Sequence, residues 1–248
     1  MNYGVVTICR NSRSTIARTI ASVLGQPRLP EQYVFVDGGS DDGTVAEIEL
    51  ALGRARADRP DVASVDVRVL NQVGEGIPAA WNLGIEALAT DAVFLLNSDD
   101  WYDDCCSESV LTAFERNPET GIVVCPVRFW APDASVGVVR HPKSTRLFPV
   151  LMPMLHPGCF VRRTVYEEVG LFDAQYRISA DYDFVYRCHC RGVLFQPLGD
   201  VVVNMQLGGL AGRSRVVARR ETYDIACRHA RLPLLPWFAF AARMVLGR

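Results

Sequence analysis

Four short apolar runs in the first half of the chain each close on polar residues, and helical patterns separate them. Residues 4–9 read as a buried strand. Ile16, Ile20, Val23 and Leu24 then recur at helical spacing, with Ser12 or Ser14 as the cap and Gly25 and Pro27 as the stop. Residues 33–36 make a second strand ending on Asp37, and Thr44 caps a helix through Val45, Ile48 and Leu52. Val65, Val67 and Val69 alternate as a third strand. Pro78 opens a helix carrying Ala80, Trp81, Ile85 and Leu88, and residues 92–96 form a fourth strand. A helix through Val110, Leu111 and Phe114 and a strand at 122–125 follow. Strands spaced by helices imply βαβ units, right-handed crossovers and a ligand site outside the carboxyl ends of the strands. The expected fold class is α/β, with a mainly parallel central sheet flanked by helices. The second half is less regular, with loops near Pro132, Pro142, Pro149, Pro153 and Pro157 and a helix over 181–190. No repeat or low-complexity linker interrupts it, so residues 1–210 are expected to form one domain, followed by a helical extension over 211–248.

The chain has 248 residues, 49% hydrophobic and 22% charged, enough to bury a core without disulfide or metal staples. Its net charge of -2 argues against a nucleic-acid partner. Eight cysteines lack paired CxxC spacing and several sit in apolar runs, as expected of reduced, packed side chains in a cytoplasmic protein. Cys188-His189-Cys190 has no second ligand pair at zinc spacing, so a structural zinc is set aside. The start of the chain has no basic segment and runs straight into a strand, so no leader is expected. No apolar stretch is long enough to span a bilayer.

Polar residues collect where the strands end. The first strand closes on Thr7, Arg10 and Asn11, the second on Asp37, Gly38, Gly39 and Ser40, and the fourth on Asn97, Ser98, Asp99 and Asp100. In a parallel sheet these three loops share one edge. The Gly-rich loop after Asp37 leads into a helix N-terminus, where amides can receive an anion or simply make a well-capped turn. Asp37 itself can accept a hydrogen bond from a base or a ribose hydroxyl. Asp99 and Asp100 repel each other unless a cation or donors compensate them, and Mg²⁺ or Mn²⁺ suits oxygen ligands and a diphosphate. The plainer alternative has Asp99 capping the next helix and Asp100 solvated. Asp181 and Asp183 open a helix, where acids also serve its dipole. Arg10, Arg177 and Arg213 can neutralise phosphates.

These segments, in this order, resemble family 2 glycosyltransferases: Val6-Thr7-Ile8-Cys9-Arg10-Asn11, Ser22-Val23-Leu24-Gly25-Gln26, the loop from Asp37 to Thr44, and Gly76-Ile77 through Asn82-Leu83-Gly84-Ile85. Leu95-Leu96-Asn97-Ser98-Asp99-Asp100, His156-Pro157-Gly158-Cys159-Phe160, Gly170-Leu171-Phe172-Asp173 and Ala180-Asp181-Tyr182-Asp183-Phe184 continue the series. The resemblance covers about residues 3–210. It implies a GT-A-type, Rossmann-like fold, with a nucleotide-sugar half over 1–103 and an acceptor half over 104–210. It also implies inversion at the anomeric carbon. The donor contacts it carries over are Thr7, Arg10, Asn11 and Asp37, with Asp37 on the base; Gly38, Ser40, Asn82 and Ser98 lie in the same matched segments. It assigns the metal to Asp99, the last position of the DxD motif, and the catalytic base to Asp181. Asn97 replaces the first Asp of that motif and still offers a carbonyl oxygen. Pro78-Ala79 stands where many relatives have Tyr-Asp, which puts the donor sugar in question. Asp183 is an alternative base two residues on. His156 is either near the acceptor or diphosphate, or a packed loop residue.

The expected function is therefore metal-dependent transfer of a sugar from a nucleoside diphosphate sugar to a glycan or lipid-linked acceptor. Two other readings stay open: a sugar nucleotidyltransferase, for which Arg10-Asn11-Ser12-Arg13 is a poor loop, and a non-catalytic nucleotide- or glycan-binding protein, which would not need Asp37, Asp99 and Asp181. From Arg213 on, Glu221 and Asp224 are the only acids. The aromatic and apolar stretch from Arg231 then packs on the domain, meets a second copy in a homodimer, or lies peripherally on the inner face of a membrane.

Overall fold

The computed structural model describes residues 1–131, 137–208, 215–230, 235–238 and 240. In chain order the strands are β1 (Tyr3–Cys9), β2 (Gln32–Asp37), β3 (Asp66–Asn71), β4 (Ala92–Asn97), β5 (Trp101–Tyr102), β6 (Thr120–Val124), β7 (Val127–Trp130), β8 (Gly137–Arg140), β9 (Cys159–Arg162), β10 (Leu194–Pro197) and β11 (Val203–Gln206). The helices are α1 (Ile16–Leu24), α2 (Thr44–Asp58), α3 (Gly76–Ala87), α4 (Cys106–Arg116), α5 (Arg163–Val169), α6 (Ala180–Cys190) and α7 (Arg215–His229).

Seven strands form the main sheet in the order β10-β6-β9-β4-β1-β2-β3. The pairs within β3-β2-β1-β4 are parallel, as is β10 with β6. The expectation of a mainly parallel sheet holds, with one exception the sequence pattern does not show: β9 runs antiparallel between β4 and β6. Because helices cover both faces, the central strands read as continuous apolar runs. Val5, Phe35, Phe94 and Leu96 feed one core with α1, α2 and α4, while Val6, Val34, Val93 and Leu95 feed a second with α3, α5 and α6. The edge strand β3 is only partly buried, and Val69 on it is exposed. Helix α3 lies close enough to β1 that a Cβ on Gly84 would meet Val6 Cγ1 at 2.2 Å, so only glycine permits this approach.

Two capping expectations are corrected. Helix α1 starts after Thr15, and Ser12 contributes its carbonyl, which accepts from the amides of Thr15 and Ile16, rather than a side-chain cap. Helix α2 starts at Thr44 behind Gly43, and the side chain of Asp42 accepts from the Thr44 amide at 2.9 Å. A second sheet, β5-β11-β7-β8, is absent from the sequence reading. It packs Tyr102, Val127 and Val203 into the first core. At its centre, buried Asn204 accepts from Trp130 Nε1 at 2.8 Å and donates to Asp103 at 2.6 Å. The tail helix α7 packs on α6 through Ile225 and Ala226, both buried. Arg213, Pro132 and most of the apolar stretch from Arg231 lie outside the described residues. No disulfide joins the eight cysteines, all of which lie among the described residues, and no described helix is long and apolar enough to cross a membrane.

Candidate active site

The carboxyl ends of β1 and β2 meet in a laced pair of loops. Asp37 is buried, and its Oδ2 accepts from the amides of Gly39 at 3.1 Å and Ser40 at 2.9 Å. Its Oδ1 accepts from Ser40 Oγ at 2.5 Å and from the Cys9 thiol at 3.6 Å. Asn11 takes a left-handed conformation (φ 53°), which lets its amide nitrogen donate to Ser40 Oγ and its side chain accept from the Asp41 amide. Gly38 packs against Arg10 and Gln72 so closely that a Cβ would meet Gln72 Oε1 at 3.1 Å. Arg10 is exposed and has no carboxylate partner among the described residues. The loop thus fills the lone-pair sites of Asp37, with the Cys9 thiol the weakest of its donors. Thr7 is corrected outright. It is fully buried within the sheet and hydrogen-bonded to Tyr33 Oη at 3.0 Å, so its side chain faces the core and not the loop edge.

The mouth of β4 joins this edge through Ser98, whose Oγ lies 2.7 Å from Ser12 Oγ in the loop after β1. Beside it, Asn97 Nδ2 donates to Asp100 Oδ2 at 3.2 Å, while Asn97 Oδ1 is buried with no hydrogen-bond partner among the described residues. An orphaned buried oxygen is costly and marks a place where a donor or cation belongs. Asp99 is half-buried, and burial raises its carboxyl above the ordinary value. Asp100 is not solvated. It is buried, and burial first and the neighbouring Asp99 second push its carboxyl well above the ordinary range. It accepts the Gln206 amide at 3.1 Å and so ties β4 to β11. Asn97 Oδ1 and Asp99 thus form an oxygen-only donor set that suits a hard divalent ion. Among the described residues no group of three or more His, Cys, Asp or Glu could hold an ion alone, and that includes Cys188-His189-Cys190.

The antiparallel run of β9 brings the second half of the chain to this same edge. Phe94 pairs with Phe160, so Cys159 and the turn His156–Gly158 before it stand at the carboxyl end of β4. Asp181 on α6 lies close enough to Cys159 to raise that buried thiol further. Asp181 keeps some exposed surface, yet protein atoms crowd its carboxyl, and burial lifts it from 3.8 to about 6. Its Oδ1 accepts from the Tyr182 amide at 2.8 Å.

Asp183 has the opposite environment. Its buried carboxylate accepts from Arg187 Nε at 2.7 Å and meets His229 Nε2 at 3.3 Å. Burial alone would raise it, but these two partners outweigh burial and hold it below the ordinary value. As an alternative base it is corrected: it is enclosed, paired and weakly basic. His156 is a packed residue. It stacks on Trp81 with ring centroids 4.2 Å apart, and burial lowers its ring to about 4, so it carries no charge for a diphosphate near neutral pH. Asn82 is also corrected. Its amide donates to the Phe172 carbonyl at 2.8 Å and accepts the Phe172 amide at 3.0 Å, which clamps the loop before α6 to α3.

Three neighbours escaped sequence reasoning. Arg18 stacks 3.6 Å over Trp101 and donates to the Asp99 carbonyl at 3.0 Å. Trp81, read as core, stacks on His156 and carries a buried indole N–H without a hydrogen-bond partner among the described residues. Glu221, on the basic tail helix, reaches the loop before α6. Only contacts distant in sequence reveal these roles.

Comparison with known proteins agrees with this architecture. The chain is 23% identical over 216 residues to the poly-beta-1,6-N-acetyl-D-glucosamine synthase of Staphylococcus aureus (strain COL), covering 82% of this chain and 50% of that one. It is 28% identical over 116 residues to the putative glycosyltransferase EpsH of Bacillus subtilis (strain 168), covering 46% of this chain and 30% of that one. The chain therefore spans half or less of the length of these relatives. Among solved structures, S. aureus TarS 1-349 in complex with UDP-GlcNAc superposes with a TM-score of 0.65 at 15% identity, over 98% of this chain and 72% of that one. The mannosyltransferase PcManGT from Pyrobaculum calidifontis, in complex with GDP-Man and Mn²⁺, gives 0.67 at 16% identity, over 99% and 69%. These two share the GT-A-type fold with this chain. Residues 4–170 match the family model described as glycosyl transferase family 2, and the chain belongs to that family.

Proposed function

We propose that the chain is an inverting glycosyltransferase that moves a sugar from a nucleoside diphosphate sugar to a hydroxyl of a glycan or lipid-linked acceptor. One observation carries this reading. Two carboxylates two residues apart on α6 are driven in opposite directions, Asp183 below its ordinary value by Arg187 and His229 and Asp181 up to about 6 by burial. That divergence separates a structural anion from a proton acceptor matched to neutral pH. Asp181 takes the acceptor hydroxyl proton as that oxygen bonds to the anomeric carbon. The bond from that carbon to the diphosphate breaks, and the nucleoside diphosphate leaves with the electron pair. Asn97 Oδ1 and Asp99 would hold Mg²⁺ or Mn²⁺. The ion, when bound, offsets the charge on the departing diphosphate.

Arg10 supplies a cation toward the phosphates, and Asn11, Gly38, Ser40 and Ser98 shape the wall behind them. Residues 1–103 would serve the donor and 104–210 the acceptor. The relatives' and neighbours' names support a nucleotide-sugar donor and a product of surface-polysaccharide type, and the place of work in this reading is the cytoplasm or the inner membrane face. Exposed Val216, Trp237 and Phe238, in a stretch of sequence rich in arginine, support peripheral association with that face. A screen of nucleoside diphosphate sugars with Mn²⁺, read by thermal shift and by release of nucleoside diphosphate, tests the reading. At least one donor should stabilise the chain and be turned over with acceptor. Binding without turnover of any donor would favour a binding protein, and no response at all would defeat both.

A further inference from the structure

Among the described residues, the first turn of helix α6 has one side-chain acceptor of its own, Asp181 on the Tyr182 amide, and none at the capping position. Ser179 stands at the capping position, but its hydroxyl makes no bond to the first-turn amides and turns instead to the Ala218 carbonyl at 3.3 Å. Three successive amides just ahead of the helix donate to Glu221 on α7: Arg177 at 2.9 Å, Ile178 at 3.0 Å and Ser179 at 2.8 Å. A carboxylate shared by three amides at the positive end of a helix makes strong, directional bonds. Helix α7 is itself anchored there. Ile225 and Ala226 are buried, His229 meets Asp183, and the Arg228 guanidinium lies 5.5 Å over the Tyr176 ring.

We propose that Glu221 is a positioning residue for Asp181: it holds segment 177–179 from outside α6 and so fixes the start of the helix on which Asp181 stands two residues on. This rests on the reading of Asp181 as the base. The charged and titratable groups facing Asp181 are Glu221 from α7 and the Cys159 thiol from β9, while Asp183 on α6 is neutralised by Arg187 and His229. Burial is the main cause of the raised Asp181 carboxyl, the Tyr182 amide opposes it, and the Glu221 charge adds to it.

The test is Glu221→Gln, which keeps the size but removes the charge and one acceptor oxygen. Hydrogen exchange at the amides of 177–179 should quicken by about tenfold or more. The Asp181 carboxyl, followed by ¹³C NMR and assigned by its loss in Asp181→Asn, should titrate at lower pH than in the wild type. In transfer assays kcat should fall about tenfold with the donor KM unchanged, and the acidic limb of the kcat profile should move to lower pH. Unchanged exchange and an unchanged Asp181 titration would overturn the proposal. Should Glu221→Gln fail to fold, the wild-type amides decide: exchange as slow as inside α6 supports the proposal, and free exchange refutes it. If Asp181→Asn retains transfer while Glu221→Gln still shifts the Asp181 titration, the base was misassigned but the positioning stands. If Asp181→Asn abolishes transfer and Glu221→Gln changes nothing, the positioning alone fails.

Discussion

Replacing Asp181 with Asn should cost activity and gain stability, and the gain should depend on pH. An unfolded chain ionises Asp181 at about 4, whereas the folded chain does so at about 6. Between these values the folded state binds more protons than the unfolded one, so stability falls as pH rises from about 4 to about 6, and the full penalty stands above that window. A rise from 3.8 to about 6 is worth about 3 kcal/mol at ~1.4 kcal/mol per pH unit. Because Asp181 keeps some exposed surface, solvent screening reduces this to about 1–3 kcal/mol. Asn is nearly isosteric and uncharged, so Asp181→Asn should raise the unfolding free energy by that amount at pH 8, or the midpoint by ~3–10 °C for a chain of this length. At pH 4.5 the carboxyl is mostly protonated in the folded state, and the two proteins should differ by less than about 1 kcal/mol. Urea titration of both proteins at the two pH values reads this directly. An equal gain at both pH values, or a loss at pH 8, would refute the account of an ionised carboxylate held at a cost. In the same variant donor binding should persist while transfer is lost, the usual signature of function held against stability.

Other consequences are simpler. Asp99→Ala should weaken Mn²⁺-dependent donor binding by tenfold or more in calorimetry while leaving metal-free nucleotide binding unchanged, and Asn97→Asp should tighten the metal. Asp183→Ala strips the partner from Arg187 and His229 and should cost about 3 kcal/mol in denaturant unfolding at neutral pH, with the loss shrinking in acid as the carboxylate protonates. Gly84→Ala puts a methyl against Val6 and should destabilise by about 1–3 kcal/mol in the same assay, because α3 must move off β1. A neutral result would mean that the helix shifts freely.

Much of the first half of the chain was legible because its signals are local. A strand buried on both faces writes itself as an apolar run, as in 92–96, and α1 writes its stripe at Ile16, Ile20, Val23 and Leu24. The polar closures at Asp37 and Asn97–Asp100 then fall on one edge by topology alone. The sequence by itself therefore determined the α/β class and the sheet edge on which the acids of the proposed site collect. Only the tertiary structure decided which of those acids are free. The insertion of β9 between β4 and β6 sets Asp181 beside Cys159, and no local pattern encodes that register. Asp181 and Asp183 are both acids in the first turn of one helix, separated in character only by Arg187, the distant His229 and burial. Thr7 and Asn82 resemble ligand contacts in sequence but are claimed by Tyr33 and by the Phe172 backbone. A side chain's chemistry is written in its residue type. Its availability depends on the partners that long-range packing brings within hydrogen-bond reach, and that information resides in pairs of residues far apart along the chain.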